Sequence, residues 1–435
     1  MIIVDNFLEK REREGNPVRV GMVGAGYMGR GVALQFLTSM TGMRLVAIAN
    51  RTVSEAERAY REAGVDVVDN VERVDDLENA IRNGRYSITD DPLILCEASG
   101  IDVIIEVTGE VEFGAKVALH AIEHAKHVVL MNAELDATVG PILKVYADKK
   151  GVVVTNSDGD QPGVIMNLFR FVKAIGYHPV LAGNIKGFQD PYRTPETQRG
   201  FAEKHCQKPR MVTSFADGTK ISMEMAVVAN ATGFGVGKRG MYGVKCKHVT
   251  ETPKLFPVEG LLQQGIVDYV LGAEPGPGIF VIGYNDHPAK RQYLEYLKMG
   301  EGPFYVFYTP YHLCHLEVPL TAARAVLFGD AAVTPLGAPV CEVVTVAKRD
   351  LSNNEELDGH GGFACYGVIE NAEVCRAKNL LPMGLAEGCR LRRNVPKDQA
   401  LTFDDVNLPP ARLCDKLWNE QLTYFNSRQA TPVAS

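Results

Sequence analysis

Along the first part of the chain, mostly apolar runs alternate with stretches whose apolar residues recur at helical spacing. Arg19-Val20-Gly21-Met22-Val23 enters Gly24-Ala25-Gly26-Tyr27-Met28-Gly29 directly, and Val32, Ala33, Phe36 and Leu37 follow three or four apart. That order predicts a buried strand, a glycine turn and a helix. Further runs at Leu45 to Ala49, Ile101 to Gly109, His127 to Asn132 and Gly151 to Thr155 predict more buried strands, with a helix around Gly114 to Lys126. Strands alternating with helices predict a doubly wound parallel α/β sheet of the Rossmann type.

Past this region the pattern changes. An apolar strand containing Val180-Leu181-Ala182 precedes a helical stretch from Ile221 to Gly233, as in an α+β domain. From Pro339 onward short β segments are separated by turns, and Pro409-Pro410 precedes a terminal helix around Trp418 that is expected to fade into a disordered end. The predicted divisions are an extension over 1–16, a dinucleotide-binding domain over 17–157, a catalytic and dimerisation domain over 158–335 and a β-rich module over 336–435.

Composition narrows the class. With 435 residues, 46% hydrophobic and 23% charged, the chain is expected to fold into several domains. A net charge of -7 without a basic block argues against nucleic acid as a partner. No apolar run has the length to cross a bilayer, and the charged N-terminal stretch lacks a signal-peptide core, so no membrane association and a cytoplasmic location are expected. Nine cysteines without a CxxC pair read as reduced thiols.

Candidate chemistry sits at the ends of the predicted strands. Gly24 suits a tight turn, Gly26 a close approach of backbone to pyrophosphate, and Gly29 close packing of the helix whose N-terminus, at Tyr27 and Met28, would hold the phosphates. After the second strand stands Asn50-Arg51-Thr52, a cation with no carboxylate, which favours NADP(H) over NAD(H). Thr108-Gly109 and Asn132, at later strand ends, should face the nicotinamide half. Three polar clusters follow. Asp158-Gly159-Asp160-Gln161 brings carboxylates to the sheet edge, and Asn184-Ile185-Lys186 ends the next strand. Asp217-Gly218-Thr219-Lys220 precedes a helix on which Lys220 and Glu224 share a face, either as reacting groups or as an exposed salt bridge. Lys186 and Lys220 are candidates to hold charge on a carbonyl oxygen. Asp160, Asp217 and Glu224 are candidates for proton transfer, with Asp160 and Glu224 also able to ligate Mg2+ or Mn2+. His312, Cys314, His315 and Glu317 would diverge if read as a strand, leaving His312 as a substrate contact or a packed histidine.

Several of these motifs carry a family resemblance. The glycine turn, Glu106-Val107-Thr108-Gly109, Asp217-Gly218-Thr219-Lys220 with Glu224, Asn230-Ala231-Thr232-Gly233, Tyr308-Thr309-Pro310-Tyr311-His312-Leu313 and Leu316-Glu317-Val318-Pro319-Leu320 together resemble the homoserine-dehydrogenase-like superfamily. The order resembles its branch of 1-deoxy-D-xylulose 5-phosphate reductoisomerase-like enzymes. That resemblance implies rearrangement and NADPH-dependent reduction of a ketose phosphate with a divalent metal. The chain departs from that branch at Gln161, where an acid is expected, and at Gly187-Phe188-Gln189-Asp190, which is less basic. Homoserine dehydrogenase itself fits less well, because Asn132-Ala133-Glu134 replaces the typical Asn-Lys pair. The segment from Cys341 to Val406 resembles an SAF-type (β-clip) module. The expected function is therefore an NADP-dependent oxidoreductase, forming a homodimer and acting on a small phosphorylated or polyhydroxylated carbonyl compound. The alternatives are a simple dehydrogenase of an amino- or hydroxy-aldehyde, an oxidoreductase on a nucleotide-linked sugar, and a non-catalytic NADP-binding sensor.

Overall fold

The computed structural model describes residues 3–429, so the expected disordered end beyond them lies outside the described residues. The chain divides into two compact units. One comprises the described parts of Met1–Asp160, Leu313–Thr334 and Leu413–Ser435, the other Gln161–His312 and Pro335–Arg412. Successive segments along the sequence are therefore not the units of the fold. Val318, Ala322 and Ala323 bury into the same core as Val20, Met22, Val32 and Phe36, which returns residues 313–334 to the first unit. The expected N-terminal extension also belongs there: Val4 and Leu8 of the helix Val4–Arg13 are buried in that core, and Phe7 meets Phe328 edge-on at 4.9 Å.

The first unit is built on strands β1 (Val18–Val23), β2 (Met43–Ala49), β3 (Asp69–Asn70), β4 (Ser87–Thr89), β5 (Val103–Glu106), β6 (His127–Leu130) and β7 (Val154–Asn156). They form one parallel sheet in the order β3-β4-β2-β1-β5-β6-β7, the doubly wound arrangement the alternating pattern predicts. Strand order reverses between β1 and β5, so the crevice for a ligand lies beyond their C-terminal ends. The helix Ala133–Lys150 beside this sheet contains Pro141, which cannot sustain a regular ladder. Gln421, from the helix Leu413–Gln429, repairs the break. Its carboxamide oxygen accepts the Ile142 N–H at 3.1 Å and its amide donates to the Thr138 carbonyl at 3.3 Å.

The second unit contains β8 (His178–Lys186), β9 (Val244–Lys245), β10 (Ile266–Leu271), β11 (Gly278–Tyr284) and β12 (Phe304–Thr309), a mixed sheet ordered β12-β11-β8-β10-β9. β13 (Cys341–Ala347) pairs antiparallel with β14 (Cys365–Asn371), and β15 (Arg390–Leu391) with β16 (Val406–Asn407). The helix Thr219–Thr232 is buried over almost its whole length. Its Thr219 hydroxyl accepts the Gly367 N–H, and its Asn230 side-chain oxygen accepts from Val340 and Cys341. The Asn230-Ala231-Thr232-Gly233 motif thus serves to hold the start of the C-terminal segment, while Gly233 ends the helix at a φ of 80° that favours glycine.

The cluster from His312 to Glu317, weighed above as a strand, is helical from Cys314 onward. Cys314–Phe328 is α-helical, so His315 and Glu317 do not alternate across a sheet. Glu317 fixes its start by accepting the Leu313 N–H at 3.1 Å, and the buried Val318, Thr321, Ala322 and Ala325 follow a helical period. The His315 ring packs on the helix Tyr27–Ser39, where a Cβ on Gly31 would come within 2.8 Å of it.

Candidate functional site

In the first unit the glycine turn has the geometry its spacing predicts. Gly24 takes a φ of 111°, and its N–H bonds the Ala49 carbonyl at 2.8 Å, closing β1 against β2. A Cβ on Gly29 would collide with the Gly24 carbonyl, whereas one on Gly26 would meet nothing within 4 Å. The backbone at Gly26 is therefore open, and the helix Tyr27–Ser39 starts beside it with Tyr27 exposed. An open backbone at a helix N-terminus is a fit for the pyrophosphate of a dinucleotide.

The residues after β2 divide in role. Asn50 accepts the Ala25 N–H at 3.0 Å and donates to the Thr52 carbonyl at 2.9 Å, so its side chain shapes the turn. Arg51 is exposed, and among the described residues it makes no ion pair or side-chain hydrogen bond. Neighbouring Arg30, by contrast, is taken up by Glu55 and Glu62. Thr52 is the exposed residue preceding the helix Val53–Glu62.

Asn132, expected to contact the cofactor, is instead fully buried and occupied. Its oxygen caps the helix Ala133–Lys150 at Leu135, and its amide donates to Glu106 at 2.8 Å and to the Glu110 carbonyl at 3.1 Å. Glu106, at the end of β5, also accepts from the Thr108 N–H and hydroxyl. Burial pushes its carboxyl up to about 6 against the pull of those hydrogen bonds. Gly109 follows at a φ of 74°. Asp136 is pushed up to about 7 by burial, with Asn156 donating to it at 3.3 Å. Asp158 is spent on Arg324 at 2.9 Å and on Thr321, and Asp160, 8% exposed, is the last residue before the second unit begins.

The second unit brings three polar side chains together at the end of β8. Lys186 Nζ lies 3.6 Å from Glu224 Oε2, and Asn184 Nδ2 donates to the same oxygen at 3.4 Å. The Glu224 side chain is 2% exposed and that of Lys186 is 20% exposed, so the lysine is partly open to solvent and the glutamate is buried. An exposed salt bridge on the face of the helix Thr219–Thr232 is therefore not what Glu224 forms. Lys220 stands half-buried in the first turn of that helix. His312, half-buried, faces Gln161 across 3.3 Å between their side-chain nitrogens.

Asp217 does not join this group. Its carboxylate accepts from Lys348 Nζ at 2.9 Å and from the Thr219 N–H at 2.9 Å. Burial pushes it up while the Lys348 ammonium pulls it down. Lys348 also donates to the carbonyls of Arg193, at 2.7 Å, and Gly362, at 2.8 Å. Both side chains are almost completely buried, so Asp217 fixes the loop before the helix and has no exposed face for catalysis. Lys348 escaped the sequence reading. The signal for it is a charge directly after the apolar run Val343 to Ala347.

As a ligand for Mg2+ or Mn2+, Glu224 is a poor fit, because it already faces an ammonium. Nor do His312, Cys314, His315 and Glu317 converge. Among the described residues, the ligand atoms that do are those of Glu97, His120 and His124.

Comparison with known proteins adds two regions. The model described as oxidoreductase family, NAD-binding Rossmann fold, matches residues 18–131, and that described as oxidoreductase DRL, catalytic domain, matches residues 159–318. A homoserine dehydrogenase from Methylobacillus glycogenes is 29% identical over 122 residues, covering 28% of this chain. That match spans 26% of the relative's length. Among solved structures, a probable dehydrogenase from Thermotoga maritima aligns with 74% of this chain and 91% of its own at 13% identity and a TM-score of 0.43. A myo-inositol dehydrogenase from Lactobacillus casei, in complex with NAD(H) and myo-inositol, aligns with 74% and 88% at 13% identity and a TM-score of 0.41. The chain thus contains a region similar to the NAD-binding Rossmann fold of an oxidoreductase family, followed by a region similar to an oxidoreductase catalytic domain that contains the Lys186–Glu224 pair.

Proposed function

We propose that this chain is an oxidoreductase that uses NADP(H) to reduce a carbonyl of a phosphorylated or polyhydroxylated substrate, with 1-deoxy-D-xylulose 5-phosphate as the first compound to test. The observation that carries the reading is the Lys186 ammonium, held beside the buried Glu224 at the end of β8 within the matched catalytic region. When bound, the nicotinamide supplies the hydride. Lys186 supplies a preorganised cation for the charge that gathers on the carbonyl oxygen as hydride arrives, and it gives that oxygen a proton as the alcohol forms. Glu224 orients the ammonium, and Asn184 donates to the same carboxylate oxygen. His312, with Gln161 beside it, offers an imidazole for a substrate hydroxyl or phosphate. Catalysis is favoured over a non-catalytic sensor because a buried carboxylate holding a partly exposed ammonium is a costly arrangement for a surface with nothing to bind.

Arg51 supports NADP(H). An uncommitted guanidinium after β2, with no carboxylate beside it, suits a 2'-phosphate. NADPH is expected to bind at least about tenfold tighter than NADH, about 1.4 kcal/mol, in a fluorescence titration. Arg51→Ala should remove most of the gap, and equal dissociation constants in the unaltered protein would refute the assignment.

The substrate is tested by incubating the protein with 1-deoxy-D-xylulose 5-phosphate, NADPH and either Mg2+ or Mn2+, following absorbance loss and product identity. Oxidation of NADPH with a rearranged carbon skeleton supports a reductoisomerase. Reduction without rearrangement makes the chain a simple dehydrogenase. No oxidation, with cofactor binding confirmed, transfers the activity to another polyhydroxylated carbonyl compound.

A further inference from the structure

We infer that the first unit carries a surface site for a borderline transition-metal ion, Zn2+ above all, formed by Glu97, His120 and His124. Glu97 ends the helix Pro92–Glu97, His120 lies in the last turn of Val111–Glu123, and His124 is the residue that follows it. One ligand atom from each falls within 4.8 Å of the other two. The imidazoles are four residues apart, their ring centroids separated by 4.4 Å.

Hydrogen bonding prepares both rings for a metal. His124 Nδ1 lies 2.9 Å from the His120 carbonyl oxygen. A carbonyl only accepts, so Nδ1 carries the proton and Nε2 presents its lone pair. An N–H bound to a backbone carbonyl is the usual outer support of a metal-ligating histidine. His120 Nε2 lies 2.9 Å from Glu97 Oε1, and its Nδ1 lies 3.9 Å from Glu123 Oε2. A metal between His120 and Glu97 would take the place of the Nε2 proton, which moves to Nδ1 and faces Glu123. Two imidazoles and one carboxylate form a donor set that suits Zn2+ and leaves a fourth position to water. Tetrahedral ligands stand roughly 3.3 Å apart at ordinary Zn–N distances, which rotation of the exposed Glu97 and His124 side chains can reach. Bound there, the ion ties the end of one helix to the end of the next. Lys186, Glu224 and Arg51 take no part in it.

The test is a calorimetric titration of the full chain with ZnCl2, repeated on His120→Ala/His124→Ala and on Glu97→Gln. The substitutions are at the surface, and circular dichroism checks that the variants fold. The expected result is one Zn2+ equivalent lost in the double variant and an affinity about tenfold or more weaker in Glu97→Gln. Zn2+ should raise the thermal midpoint of the unaltered chain by about 5 °C at a hundredfold excess over the dissociation constant, and leave that of the double variant unmoved. Indistinguishable isotherms for the unaltered chain and the double variant overturn the site. So does Mg2+ binding that the double variant abolishes equally well, since imidazole ligands do not select that ion.

Discussion

Lys186→Met is expected to lower turnover between about 10²- and 10³-fold while NADPH affinity stays unchanged, the usual loss when a preorganised charge-stabilising donor is removed. The methionine keeps much of the side-chain volume at the end of β8 but leaves Glu224 without the ammonium at 3.6 Å. Stability will therefore fall as well, and the kinetic measurement is made well below the unfolding temperature, with folding verified. Lys186→Arg retains the charge and separates the electrostatic role from simple packing. Lys220→Met, one helical turn from Glu224, is the companion variant. A Lys186→Met enzyme that turns over within about threefold of the unaltered protein would remove Lys186 from the reacting centre and leave it as a partner of Glu224.

Lys348→Met should be the most destabilising single change outside the core. It strands the Asp217 carboxylate in a buried site and removes the donor to two carbonyls, where loss of one member of a buried pair typically costs about 3–5 kcal/mol. Urea unfolding measures the effect. Adding Asp217→Leu should recover part of it, because the second change removes the stranded charge. An unfolding free energy for Lys348→Met within about 0.5 kcal/mol of that of the unaltered protein would mean that water reaches Asp217 and replaces the ammonium.

How far the fold was legible depended on whether the information was local. Gly24, Gly26 and Gly29 were readable because each answers a steric demand set by its immediate neighbours, and the apolar runs of β1, β2, β5 and β6 declared strands buried on both faces. Lys186 and Glu224 were readable as candidates, but their pairing was not, because it joins a strand to a helix distant in sequence. Asn132 and Asp217 were misplaced for the opposite reason: polar residues after strands resemble ligand contacts, and only burial shows that they satisfy backbone and ion-pair demands. The cluster from His312 to Glu317 suggests a strand when taken alone, whereas the helical period that sets its structure from Cys314 onward appears only with Val318, Ala322 and Ala325. The composite first unit had no local signature at all, since recruitment of residues 313–334 depends on apolar matching with a core far away in the chain.

The bridge between Gln421 and the break at Pro141 also sets an order in time. A ribosome makes the helix Ala133–Lys150 long before Gln421, and the whole segment Gln161–His312 is synthesised in between. Until translation passes residue 421, the Ile142 N–H and Thr138 carbonyl must be met by water or another partner. The dinucleotide half, although it begins first, is thus among the last parts of the nascent chain to reach its final hydrogen bonding.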